Sequence, residues 1–468
     1  MSRRVNRRGF LATSGAGLGY WLAAPAFSAD RVFGANDHLH FAGVGVGGKG
    51  SSDIDQAGAF GEVVAICDID ENRLNNKAKK FDKAKKYFDF RKMFDEMGKT
   101  IDAVVVSTPD HTHAPASMMA MKMRKHVYCQ KPLTHTVYEA RLMRETAKKM
   151  GVATQMGNQG TAENGLRRAV EIVQSGLIGD VTEAHVWTNR PVWPQAPKVT
   201  ARPAEAPVPP HVHWDEFLGP APFRPYAKYE DGKGAYHDFN WRGWWDFGTG
   251  ALGDMACHTA NMAFMALKLG YPTSVVAEVV NGFNTETYPA GARIRFNFPA
   301  RDGMVPVKLF WYEGKNDGKK LLPSKELVDR AVALTAKDGK PGRLVDSGTI
   351  LLGTKGMIYS PNDYGAEVLF DPKDQFANVN TKKPEKLPVN GGGDSGMKRE
   401  WVDAIKGGPA PMSNFDYAAL LTETILLGNI AIRFSGQDLT WDGPAMKFTN
   451  NSSANQYLHK EYRSGWTL

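Results

Sequence analysis

Cysteine is scarce in this chain: Cys67, Cys129 and Cys257 are the only three among 468 residues. They are scattered without metal-ligand spacing, two of them in apolar strand or helix contexts, which excludes a disulfide scaffold or zinc site and reads as buried small hydrophobes. No metal is expected. A large charge of one sign is also missing. The formal net charge is +8, and the first 29 residues hold four arginines and no acid, so without them it is +4. That excess is too small and too evenly spread for a nucleic-acid binder. The lysines between Lys77 and Lys86 read as a solvated helix face. After residue 29 no apolar run has the unbroken length needed to cross a bilayer, so a soluble mature protein is expected.

What is present begins with Arg3, Arg4, Arg7 and Arg8, followed by Phe10, Leu11 and a Gly/Ala-rich apolar stretch that reaches small residues at Ala26 and Ala29. Residues 1–29 therefore read as a twin-arginine signal, whose partner is the machinery that exports folded proteins. The expected location is periplasmic or otherwise exported, with an uncleaved membrane anchor as the alternative.

The remaining length favours two domains. The first is placed at 38–155. Leu39–Val44 is a short apolar strand, and Gly45-Val46-Gly47-Gly48-Lys49-Gly50 follows it as G-x-G-x-x-G opening a helix. Gly45 permits the tight turn, Gly47 and Gly48 admit a pyrophosphate close to the backbone beside Val46, and Gly50 lets helix pack on strand. A second apolar strand, Glu62–Cys67, ends at Asp68, 18 residues after Gly50. An acid there accepts ribose hydroxyls and disfavours a 2'-phosphate, so the expected cofactor is NAD; Asn72, Arg73 or Lys77 keep NADP open. Ile101–Ser107 is a third strand leading into Thr108-Pro109-Asp110-His111-Thr112-His113. Its carboxyl end places Ser107, Pro109 and His113 at the dinucleotide crevice, although His113 could equally be a locally satisfied helix-start residue. His126–Cys129 leads into Gln130-Lys131-Pro132, where Lys131 is the candidate active-site cation, and Val152–Met156 ends near Asn158, a further cofactor candidate.

From 156 to 445 the pattern changes. Val181–Asn189 alternates, with His185, Trp187 and Asn189 on one side. Later strands, Ser274–Asn281, Ala292–Phe298, Val305–Tyr312, Thr349–Leu352 and Met357–Ser360, lack the helices of a second βαβ unit and predict a large, mainly antiparallel open sheet. The fold class is thus α/β, a Rossmann domain followed by an α/β domain. A proline- and aromatic-rich stretch, 191–236, precedes Trp241-Arg242-Gly243-Trp244-Trp245. These tryptophans could stack on sugar rings or pack under a lid; with His185, Asn189 and Arg190 they form the substrate-binding candidates. Asp254 and His258 share a helix face at i, i+4, where the carboxylate can orient the imidazole as general acid/base. Residues 446–468 read as a tail docked on the body.

From Gly45–Gly50 through Asp68, Thr108-Pro109 and Lys131-Pro132 to Asp254 and His258, the chain resembles the Gfo/Idh/MocA family of glucose-fructose oxidoreductase and inositol dehydrogenase. The resemblance implies a catalytic set of Lys131, Asp254 and His258, a sugar, sugar-derivative or cyclitol substrate, hydride transfer with a tightly held cofactor, and a homo-oligomer. Glu-Lys-Pro is usual there; this chain has Gln130-Lys131-Pro132. Exported members also imply NAD-dependent glycoside cleavage through transient C3 oxidation as an alternative. A different class altogether, apart from the resemblance, is a non-catalytic sugar- or cofactor-binding protein.

Overall fold

The computed structural model describes residues 38–337 and 339–468, so the segment read as an export signal lies outside the described residues. In chain order the first domain contains β1 (Leu39–Val44), α1 (Gly48–Ala57), β2 (Gly61–Cys67), α2 (Glu71–Ala78), β3 (Lys85–Tyr87), α3 (Phe90–Met97), β4 (Ala103–Val106), α4 (Asp110–Lys122), β5 (His126–Cys129), α5 (Val137–Met150) and β6 (Thr154–Met156). The strands form a six-stranded sheet in the order β3-β2-β1-β4-β5-β6. Every pairing in it is parallel. Continuous apolar runs such as Ala103–Val106 suit this arrangement because both faces of the sheet are covered. Between β1 and α1, Gly45 has φ +79, and a Cβ there would lie 2.7 Å from the Ser107 carbonyl oxygen. Glycine is therefore required by both backbone conformation and space.

The basic stretch expected as one helix face divides instead. Lys77 is buried in α2 with Nζ 2.7 Å from Asp55, and Lys85 and Lys86 lie on the edge strand β3. Lysines on an edge strand also oppose unwanted sheet pairing.

The second domain adds α6 (Asn164–Gln174), β7 (Val181–Trp187), α7 (Trp214–Leu218), α8 (Gly250–Thr259), α9 (Asn261–Ala266), β8 (Ser274–Asn281), β9 (Gly291–Phe298), β10 (Val307–Asn316), β11 (Lys319–Lys320), α10 (Lys325–Leu334), β12 (Gly348–Gly353), β13 (Met357–Ser360) and β14 (Leu369–Asp371). It is followed by α11 (Gly393–Ile405), α12 (Phe415–Ile432), β15 (Leu439–Asp442) and β16 (Lys447–Phe448). The sheet order is β14-β13-β12-β7-β10-β9-β8-β15-β16, with β11 paired to β10. Only the β7–β10 pairing is parallel, so the sheet is mainly antiparallel, as expected. The two strands that follow α12 extend an edge that the sequence pattern did not disclose. Ala184, Val186, Leu309 and Trp311 share a core with α8, α9 and α12, while Trp187, Tyr312 and Ile350 pack with Leu327 and Ala331 of α10.

Chain order and packing part company at α11. Its Trp401 ring lies 5.9 Å from Phe41 and 5.7 Å from Tyr128, so this late helix completes the Rossmann core. The apolar α12 is long enough to cross a membrane by composition, but 89% of it is buried inside the protein, against α5 and the second sheet.

Under the glycine turn sits Asp53, whose side chain is wholly buried. Its Oδ1 accepts from Lys49 at 2.6 Å and Lys398 at 2.7 Å; its Oδ2 accepts from Ser107 Oγ at 3.0 Å and Gln130 Nε2 at 2.8 Å. Burial opposes ionisation, but Lys398 and Lys49 hold the carboxyl below its ordinary range. Replacing Lys398 with Met leaves this buried carboxylate short of its deepest cation. The expected loss is about 3–5 kcal/mol in chemical denaturation, and a loss under about 1 kcal/mol would show that the cluster carries little of the fold's stability.

Candidate active site

A cleft of about 590 Å³ runs between the two domains along the carboxyl ends of β1, β2, β4 and β5. Such a crevice is where an open parallel sheet binds a dinucleotide. Gly45, Gly47, Gly48, Asp68, Ser107, Pro109 and Lys131 line it from the Rossmann side. Arg190, Trp241, Arg242, Asp254 and His258 line it from the other.

The residues fit an NAD cradle. A Cβ on Gly50 would lie 1.9 Å from the Gly45 carbonyl oxygen, and α1 opens directly behind the turn. Asp68 accepts the Val46 and Gly47 N–H groups at 2.8 and 3.0 Å, which fixes the acid against the glycine loop. The cations considered for a 2'-phosphate are otherwise engaged: Arg73 with Asp238 and Asp70, Lys77 with Asp55.

Helix α8, which carries Asp254 and His258, is held in register by the Rossmann loops. His111 contacts the Phe247 carbonyl at 3.2 Å, His135 the Gly248 carbonyl at 3.0 Å, and Asp110 accepts from Thr249 Oγ1 at 2.6 Å. Lys131 Nζ donates to Asp254 Oδ1 at 2.7 Å and to the Asp254 carbonyl at 2.8 Å. An ammonium has three donors, so one remains for a ligand in the cleft. Arg190 and Arg242 approach the same carboxylate at 3.6 and 3.5 Å. Burial resists ionisation of Asp254, but Lys131 and Arg242 bring its pKa down to about 2. It is therefore held chiefly by the cations and fixes Lys131, while its charge also couples to His258. His258 is buried with its Nδ1 unpartnered, and burial followed by the Lys131 charge lowers its pKa to about 3. It is neutral throughout the physiological range.

Several anticipated residues lie elsewhere. His113 bridges the Thr108 and Pro132 carbonyls, at 2.8 Å each, and buttresses the two loops from behind. Val46 and Gly50 shape the turn from beneath, both buried. Asn158 is buried between Cys257 O and Ser413 Oγ, at 3.3 and 2.6 Å. His185 faces away from α8: its ring contacts Tyr312 Oη and Glu183 and stacks on Phe310. The small side chains Ala184 and Val186 occupy the opposite, inward face. Asn189 is exposed beyond the end of β7. Trp244 donates to Ala235 O within a buried aromatic cluster, and Trp245 lies 3.7 Å from Tyr288 under the Arg433 guanidinium. Of the three tryptophans, only Trp241 reaches the cleft.

Other lining groups escaped the sequence reading. Asp110 and Gln130 flank recognised motif residues, so proximity was the available signal. Asp363 and Tyr364 arrive from the loop after β13, and Tyr364 stands edge-on to His258 at 5.1 Å. Trp466 reaches the cleft from the C-terminal tail, with Arg91 4.2 Å over its ring. No local signal joins these segments.

Two family models match the chain: "Oxidoreductase family, NAD-binding Rossmann fold" over residues 39–158, and "Oxidoreductase family, C-terminal alpha/beta domain" over 165–298. Among curated relatives, 2,7-anhydro-N-acetylneuraminate hydratase of Escherichia coli is 32% identical over 20% of this chain and 26% of its own length. Myo-inositol 2-dehydrogenase of Thermotoga maritima is 28% identical over 28% of this chain and 38% of its own. These matches thus span well under half of each relative. Among solved structures, aldose-aldose oxidoreductase of Caulobacter crescentus superposes with a TM-score of 0.56 at 15% identity, covering 86% of this chain and 100% of that one. The WlbA dehydrogenase of Bordetella pertussis, in complex with NADH and UDP-GlcNAcA, gives 0.57 at 15% identity, covering 87% and 99%. At such identity these two superpositions establish the shared fold.

Burial lowers the pKa of six histidines: His111 and His258 to about 3, His126 to about 4, His135 well below the ordinary value, and His185 and His237 below it. Their contribution to stability is fully present above the unfolded value of about 6.5 and is lost as pH falls through the folded values. Asp110 and Glu313, both raised by burial to about 7, and Asp68 and Glu423, also raised by burial, act in the opposite direction but are outnumbered by the six histidines in that window. His113 is raised and adds to the opposition. The melting temperature should therefore fall as acid is added below about pH 6.5. A level or rising melting temperature would contradict the neutral buried histidines.

Proposed function

The chain belongs to the Gfo/Idh/MocA oxidoreductase family, and from that premise we propose that it is an NAD-dependent oxidoreductase of a sugar, sugar derivative or cyclitol. The observation that carries this reading is the meeting of Lys131, Asp254 and His258 at one end of a cleft whose other end is a dinucleotide cradle. Bound NAD supplies a hydride acceptor beside that cluster. The remaining donor of Lys131 stabilises negative charge developing on the substrate oxygen, and Asp254 keeps the ammonium aimed. His258, neutral and facing the cleft, accepts the hydroxyl proton in the transition state. Arg190, Trp241 and Arg242 offer a polar and aromatic wall for hydroxyl-bearing rings.

The adenosine end is roofed, which favours a tightly held cofactor. Segment 211–213 pairs by its main chain with the loop after β2: Glu71 N–H donates to His211 O and His213 N–H to Ile69 O, both at 2.9 Å. The tail is tied to the following helix α7 through Arg463 and Asp215, and sets Trp466 at the cleft. Retention suits export by the twin-arginine route, for which Arg7-Arg8 and the following apolar stretch are the support. A homo-oligomer, as the family resemblance implies, completes the proposal.

Redox-assisted glycoside cleavage is the second reading, favoured by the relative named as an anhydro-sugar hydratase and by two unpartnered buried oxygens at the cleft, Gln159 Oε1 and Asp363 Oδ1. These offer additional polar contacts for a larger glycoside.

Protein purified without added nucleotide should release close to one NAD per chain on denaturation. No nucleotide, and no binding when NAD is supplied, would overturn the proposal. In turnover of sugars and cyclitols, His258→Ala should lower kcat by about 10²–10⁴-fold while NAD remains bound; undiminished kcat would remove His258 from the reaction.

A further inference from the structure

We propose that Asp110 is the proton acceptor that balances substrate oxidation in this cleft, its carboxylate becoming protonated as the nicotinamide end loses positive charge and releasing that proton in the reverse direction. The inference rests on the oxidoreductase reading above. Oxidation of a carbinol breaks its C–H and O–H bonds. The hydride passes to bound NAD, the proton ends on Asp110, and the carbonyl product leaves; reduction of a second carbonyl returns both.

Two carboxyls share the cleft in unlike surroundings. Asp254 has Lys131 at 2.7 Å, Arg242 at 3.5 Å and Arg190 at 3.6 Å. Asp110 is 4% exposed and forms no ion pair among the described residues; its side-chain hydrogen bond is to the Thr249 hydroxyl at 2.6 Å. A buried carboxylate without a cation is costly, and a proton relieves that cost. When environment separates two carboxyls in this way, one serves as fixed charge and the other as proton carrier.

Around Asp110, Lys131 comes from the loop after β5, Arg242 precedes α8, and Asp254 and Cys257 lie on α8. Tyr288 and Lys460 complete the titratable surroundings. Burial raises the Asp110 pKa to about 7, against the lowering effects of the Thr249 hydroxyl and Lys131. His258, at about 3, can take a proton in transit but cannot keep it near neutrality. Loss of a nearby positive charge raises a carboxyl pKa further, so cofactor reduction and proton uptake favour each other.

The test uses the full mature chain freed of nucleotide, titrated with NAD⁺ and separately with NADH near neutral pH. Protons are counted by calorimetry in two buffers of different ionisation enthalpy. NADH should bring uptake of close to one proton per site more than NAD⁺. Asp110→Asn, which can still bond to Thr249, should bind both dinucleotides and lose that difference. Thr249→Val removes the donor that holds the carboxyl down and should move the midpoint of uptake to higher pH, which decides the matter if Asp110→Asn does not fold. An equal proton count for the two dinucleotides in the wild-type protein, an unchanged difference in Asp110→Asn, or an unmoved midpoint in Thr249→Val would overturn the inference while leaving the oxidoreductase reading intact. Failure of the wild-type protein to bind either dinucleotide would overturn that reading and this inference with it.

Discussion

A single buried carboxylate, Asp53, is the constraint on which the cleft depends. Its four hydrogen bonds gather α1, the end of β4, the end of β5 and the late helix α11. Two of those partners, Ser107 and Gln130, immediately precede the loops that carry Asp110 and Lys131. The site's inner wall therefore inherits its geometry from a charge cluster centred on a wholly buried carboxylate beneath the glycine turn. Tyr128 seals the cluster, with the Lys398 ammonium 3.7 Å from its ring centre.

This cluster accounts for the departure from Glu-Lys-Pro. A glutamate at position 130 would place a second carboxylate against Asp53 Oδ2, where Gln130 now donates at 2.8 Å. With the acid already supplied by Asp53, an amide is the compatible neighbour. Lys131 then takes its counter-charge from Asp254 across the domain boundary. Because the pair joins two domains, the Lys131 ammonium is fixed by Asp254 only when those domains are docked.

The Rossmann half was legible because its signals are local and ordered: apolar strand, glycine turn, helix, strand, acid. Lys131 and His258 could be singled out because each stands beside a recognisable motif. The substrate side was less legible, since an aromatic or imidazole side chain does not disclose which way its strand or loop turns it. His185 lies on the outward face because the small alternate residues Ala184 and Val186 are those α8 can pack against. His113 reads like a ligand, yet two loop carbonyls claim both ring nitrogens. Likewise, Trp244 and Trp245 spend their indole N–H groups on main-chain carbonyls in the core. Trp401 and Trp466 could not be placed, because long-range packing brings them to the first domain from the end of the chain.

The two ends of the cleft are built from different materials, and this suits different tasks. At the adenosine end the roof is joined to the loop after β2 by main-chain hydrogen bonds and the Asp70–Val212 bridge. Ion pairs beside them, His213 with Glu71 and Arg463 with Asp215, add to this closure, and all of these contacts lie away from Lys131, Asp254 and His258. At the other end, Lys131, Asp110, Thr249, Asp254 and His258 meet through side chains whose energies depend on charge. A change of one unit charge there is felt at several groups in a low-dielectric space. Holding the cofactor at the end far from the reacting atoms leaves the other end free to respond to chemistry without loosening the grip.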